Sequence, residues 1–103
     1  LSAFFEGRSA DEKGQPFRER LRVGRILGRE VPFYVFFDDR PWHGVIDLVL
    51  EEGAQICAVD YKTGPKPQPL PSSYQTQEVV YVSALQQLFP SREIRFEFWW
   101  LES

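Results

Sequence analysis

"GVIDLVLEEGAQICAVDYKT", residues 44–63, reads as two strands joined by a tight turn. GVIDLVL and ICAVDYKT are rich in β-branched and aliphatic residues, and the EEGA between them carries a turn glycine. So short a connection makes the two strands antiparallel. Side chains alternate along a strand, so Asp47 shares a face with Val45 and Val49, and Asp60 and Lys62 share one with Ile56 and Ala58. Counting outward from the turn brings Asp47 close to opposite Asp60, with Lys62 about 6.5–7 Å further along the backbone. Two bare carboxylates facing each other in an apolar setting repel and resist burial. Two accounts stay open here. The three residues form an Asp–Lys–Asp ion network at the sheet end, or a hard divalent cation lies between the aspartates with Lys62 beside it. Mg²⁺ takes oxygen ligands and commonly uses only one or two carboxylates, which suits the second account.

Outward from this pair, EVPFYVFF (30–37) predicts a preceding strand, turned by DDRP, so the three strands form an antiparallel meander. Before it, PFRERLRVGRILG (16–28) predicts a helix with Pro16 in its first turn and Gly28 at its end. Phe17, Leu21 and Leu27 fall on one side of that helix, and Arg18, Arg22, Arg25 and Arg29 make the exposed side basic. Such a face is either simply solvated or a landing strip for phosphates.

After the meander, GPKPQPLPSS (64–73) has four prolines in ten residues and must be a surface loop. Ser72 with Gln75 makes a capping-box pattern for a helix over SYQTQEVVYVSALQQLF (73–89), stopped by Pro90. Tyr74, Gln77 and Tyr81 lie on one stripe of it. EIRFEFWWL (93–101) predicts a last strand with Ile94, Phe96, Phe98 and Trp100 on one face. A helix between two strands implies a crossover, giving an α/β (α+β) fold with a mixed sheet flanked by helices.

The 103 residues, 43% hydrophobic and 16% aromatic, suffice for a single domain with one core. A formal charge of −3 is unlike the usual basic nucleic-acid binder, although carboxylates are what a metal site needs. Cys57, the only cysteine, excludes an internal disulfide, a zinc cage or an iron–sulfur cluster built from this chain, and fits a reducing, cytoplasmic setting. No stretch approaches the ~20 apolar residues of a membrane span. The chain begins without methionine, so an excerpt of a longer polypeptide is expected.

GVID, then DYKT thirteen positions on, then QEVVY with its Gln-x-x-x-Tyr spacing, together resemble the PD-(D/E)XK nuclease superfamily. The nearest likeness is to the nuclease domains of RecB- and AddA-type helicase–nucleases, whose lead-in strand REVPF (29–33) also resembles. The likeness covers roughly residues 29–103, with 1–28 as a helical lead-in to a restriction-endonuclease-like core. It implies that Asp47 and Asp60 are metal ligands, with the Tyr61 carbonyl as a third, and that Lys62 is the catalytic lysine. Gln77 would touch the substrate phosphate or orient Lys62, and Tyr81 and Tyr74 would lie at the substrate. The implied cofactor is Mg²⁺ or Mn²⁺. The implied partners are DNA, expected as a single strand, and a helicase motor in the same chain or complex, acting in DNA repair or recombination.

One departure stands out. Many relatives place a histidine or an acid on a helix well before the lead-in strand, and no histidine precedes the strands here. Glu6, Glu12, Glu19 and Glu30 are the candidate replacements, while His43 is out of order and reads as a strand-edge residue. The departure keeps open a second reading, a nuclease-like fold that serves as a DNA-binding or scaffolding module.

Overall fold

A computed structural model describes residues 17–101. The elements are α1 (Phe17–Val23), β1 (Arg25–Phe37), β2 (Arg40–Glu52), β3 (Gln55–Thr63), α2 (Ser72–Leu88) and β4 (Glu93–Leu101). They build one four-stranded sheet in the order β1-β2-β3-β4. β1, β2 and β3 are antiparallel neighbours, and β4 runs parallel to β3 after the α2 crossover. The expected mixed sheet with a three-strand meander is what the chain forms.

Both turns follow from local chemistry. Asp38 and Asp39 take φ values of 55° and 57°, the left-handed pair that a two-residue primed hairpin turn demands and that Asp tolerates better than most residues. Gly53 supplies φ 61° for the β2–β3 turn. Arg92 then fastens that turn from β4's approach, donating to the carbonyls of Gly53 at 2.8 Å and Ala54 at 2.9 Å.

The helix expected over residues 16–28 stops at Val23. Gly24 ends it, donating its N–H to the Arg20 carbonyl at 2.8 Å. A Cβ on Gly24 would stand 3.0 Å from that carbonyl oxygen and from Leu50 Cδ1, so the chain crosses the sheet where only glycine fits easily. Arg25, Ile26 and Leu27 have extended conformation instead, because β2 offers them a partner strand: Arg25 pairs with Glu51 and Ile26 with Leu50. Gly28, expected as a helix end, sits at a bulge in β1 where the register shifts. The basic residues are therefore split, Arg18 and Arg22 on α1, Arg25 and Arg29 on β1.

Two apolar layers sandwich the sheet. On one face Phe17 of α1 packs with Leu48, Leu50, Cys57, Val59, Trp99 and Leu101, and stacks on Trp99 with ring centroids 4.2 Å apart and planes 2° from parallel. On the other, α2 sets Leu85 on Val49, Ile56 and Ala58, and Val80 and Ala84 on Val35. Burying these side chains is worth ~1.5–3 kcal/mol each against exposure, which is what holds two short helices to the sheet. α2 begins without the expected capping box. Pro71 is the N-cap and no side chain caps the helix, since Ser72 already lies inside the first turn.

Candidate active site

β2 and β3 pair from Glu52↔Gln55 outward to Leu48↔Val59. One further step along the same register is Asp47 and Asp60, where the two strands part. On its other side, too, Asp47 drops out of the ladder: Arg29 pairs with Leu48 and Val31 with Ile46, and neither Asp47 nor Glu30 has a cross-strand partner. Glu30 takes φ 50°. The alternation of β2 changes sense across this rung, because Leu48 packs under α1 while Ile46 packs under α2. Asp47 thus occupies a break in the sheet, and its Oδ2 accepts a 2.9 Å hydrogen bond from the Tyr61 backbone N–H in place of a strand partner.

Asp60 is buried, 6% exposed. Lys62 Nζ lies 2.9 Å from its Oδ2. The Lys62 ammonium, by charge and by hydrogen bond, is the partner of this enclosed oxygen. Burial pushes the Asp60 carboxyl above the usual range; Lys62 opposes that shift, and the charge and contact of Asp47 add to it. Burial works to lower Lys62, but the Asp60 carboxylate outweighs it and holds the ammonium above its ordinary value. The charge of Lys62 is therefore secure, whereas Asp60 is a carboxylate short of positive partners.

α2 leans its Tyr74–Gln77–Tyr81 stripe over this spot. The Tyr81 hydroxyl donates to the Val45 carbonyl at 3.0 Å, tying the helix to the strand that bears Asp47. Burial raises the Tyr81 phenol; a hydrogen bond with Gln77 counters this, and Asp60 and Asp47 raise it further. Lys62 Nζ stands over the Tyr74 ring at 4.6 Å and the Phe98 ring at 5.5 Å. On the opposite side Arg29 donates to the Tyr61 hydroxyl at 3.4 Å. The structure therefore gathers Asp47, Asp60, Lys62, Tyr74, Gln77 and Tyr81 into one region, while the Tyr61 ring turns to the α1 face and its backbone N–H reaches Asp47.

The donor set suits a hard divalent cation. Two adjoining carboxylates, one of them buried beside a single ammonium, are what such an ion satisfies. Among the described residues no third carboxylate, imidazole or thiolate joins Asp47 and Asp60. Glu19 is turned to Arg22 at 2.5 Å, Glu30 is exposed, and His43 is exposed opposite Tyr34 on the β1–β2 hairpin. Glu6 and Glu12 lie outside the described residues.

A second acidic group exists under α1. Glu52, Cys57 and Glu97 bring one donor atom each within 4.8 Å. Here the Arg20 guanidinium already serves as cation, 2.6 Å from Glu52 and 2.5 Å from Glu97, with its plane beside Trp99. Burial and the Glu97 charge push the Cys57 thiol up to about 12, so it stays protonated and inert. This cluster is an ion network that docks the helix. Reading the sequence alone overlooked it, although Arg20 falls three residues after Phe17 on the buried side of α1.

A model of the PD-(D/E)XK nuclease superfamily matches residues 6–102, and the chain belongs to that superfamily. No curated protein and no solved structure matches the chain. Among the described residues no helix is long and apolar enough to cross a membrane.

Proposed function

We propose that this chain is the nuclease domain of a helicase–nuclease and hydrolyses phosphodiester bonds of single-stranded DNA with Mg²⁺ or Mn²⁺, in DNA repair or recombination in the cytoplasm. The observation that carries the reading is the buried Asp60 carboxylate set against a second carboxylate, Asp47, with the Lys62 ammonium 2.9 Å away. Two facing carboxylates cost stability that Lys62 offsets only in part, and a cation between them would offset the rest. Asp47 and Asp60, with the Tyr61 carbonyl, would hold the cation. When bound, it supplies Lewis-acid polarisation of the phosphate and a more acidic water.

The chain's own residues supply the rest. Lys62, kept protonated by Asp60, presents a fixed positive charge where negative charge builds on the phosphorus oxygens in the transition state. Gln77 reaches the Tyr81 hydroxyl, and from there its amide is available to a phosphate oxygen. Tyr81, anchored to Val45, fixes the distance between α2 and β2 and so keeps the opening constant.

One observation favours the scaffold reading: only two side-chain carboxylates converge among the described residues. Magnesium-dependent degradation of labelled DNA by the full-length protein tests both. Loss of at least about 100-fold with Asp60→Asn or Lys62→Met, at unchanged circular dichroism, supports the nuclease. Equal cleavage by parent and variants would falsify the assignment, and no cleavage by the parent favours the scaffold.

A further inference from the structure

The row of residues beside the candidate site is aromatic. β4 runs parallel to β3 with Phe98 paired to Asp60 and Trp100 paired to Lys62, so the two rows lie on the same face, one strand spacing (~4.8 Å) apart. Tyr74, in the first turn of α2, closes over them: its ring centroid is 5.0 Å from Phe98 and 6.4 Å from Trp100. All three rings are half-buried, unlike Trp99, which is fully buried on the opposite face. Among the described residues β4 is the sheet's edge strand, and α2 has just begun at Tyr74, so the three rings stand together at one end of the sheet. An edge strand is commonly kept polar, and placing Phe98 and Trp100 at its end leaves apolar rings against water.

We propose that Tyr74, Phe98 and Trp100 form a stacking platform for unpaired nucleobases that flank the phosphate held at Lys62. The inference rests on the nuclease reading and gives it a selectivity. Aromatic faces take any base, so the platform carries no sequence preference, and only a strand whose bases are already unpaired can present them. Lys62 makes the surface continuous with the site, since its ammonium bridges the Asp60 carboxylate and the Tyr74 ring. A phosphate at the ammonium places its own nucleoside against the neighbouring aromatic row.

The test uses the full-length protein in EDTA, so that nothing is cut, with fluorescein-labelled dT12 and an abasic oligonucleotide of the same length. The expected result is that Trp100→Ala weakens dT12 binding about tenfold while abasic binding is unchanged, and that Trp100→Phe restores most of the loss. If Trp100→Ala unfolds the domain, Tyr74→Leu and quenching of the parent's tryptophan fluorescence by dT12 against the abasic strand decide the matter. Equal loss on both probes, or equal quenching, overturns the platform. Base-dependent binding by a protein that never cleaves would remove the nuclease reading and leave the platform. Cleavage with indifference to bases would do the reverse.

Discussion

A carboxylate such as Asp60, buried beside Asp47, gives up hydration that Lys62 alone does not restore. Because burial, joined by Asp47 and opposed by Lys62, raises its folded pKa above the unfolded 3.8, the folded chain keeps the proton longer than the unfolded one. Its contribution is therefore most favourable below pH 3.8 and declines as pH rises through the elevated folded value. Above that window the ionised group is a standing cost. Asp60→Asn should accordingly raise the metal-free melting temperature at pH 7 while abolishing cleavage, and the gain should vanish at low pH. Thermal melts of both proteins across pH, in EDTA, check this; an unchanged or lower melting temperature at pH 7 counts against an Asp60 carboxylate that burial penalises. Glu30 makes a second case. Its φ of 50° strains any residue with a Cβ, and its side chain is exposed. Glu30→Gly should stabilise by up to about 1 kcal/mol in urea unfolding and leave cleavage intact, whereas lost cleavage would make Glu30 the missing ligand.

Four strands, the β2–β3 register and α2 were legible in the sequence because each carries its own signal. The EEGA turn alone fixes Asp47 against Asp60, and Pro71 and Pro90 bracket α2. The run from Val23 to Gly28 misleads because its local pattern suits a helix while β2, distant in sequence, offers hydrogen bonds and the break comes early at Gly24. Long-range pairing outweighs local propensity, and no window of the sequence contains it. Arg20 was hidden for the same reason: its partners Glu52 and Glu97 are 32 and 77 residues away. Burial works to raise Glu97, but the hydrogen bonds and charge of Arg20 outweigh it and hold the carboxyl below 4.5. That contribution is present above pH 4.5 and is lost as pH falls through the lowered folded value. Arg20→Met leaves Glu52 without its guanidinium and Glu97 with only the partly exposed Arg95 as cation, at 3.4 Å, and should cost about 3 kcal/mol; adding Glu52→Gln and Glu97→Gln should recover most of it. Urea unfolding at pH 7 measures both. A single variant as stable as the parent would mean that α1 is held by Phe17 alone.

At the scale of the molecule, charge and geometry point different ways and so make a measurable demand on binding. The chain carries −3 overall, yet the candidate site presents the Lys62 ammonium, with Arg29 held at the Tyr61 hydroxyl on the other face of the sheet. Arg22 and Arg25 are committed to Glu19 and Glu51, and Arg92 to Glu51 and the β2–β3 turn. With Lys62 as the cation at the site, a single strand should bind with a log–log salt slope of about −0.7, at ~0.7 per phosphate neutralised. Most of the affinity of this 103-residue chain then has to come from uncharged contacts and the divalent ion. Raising Mg²⁺ should stabilise the fold by RT ln(1 + [Mg²⁺]/Kd), an effect that Asp60→Asn removes. Fluorescence anisotropy on dT12 between 50 and 200 mM salt (roughly the range over which basic proteins lose orders of magnitude) reads the slope directly. A steep slope, about −4 or beyond, would require phosphate contacts from more of the arginines than the observed ion pairs leave open. A shallow slope, with affinity that depends on magnesium and on bases, matches a strand held at its phosphate by Lys62 and delivered to it by another part of the protein.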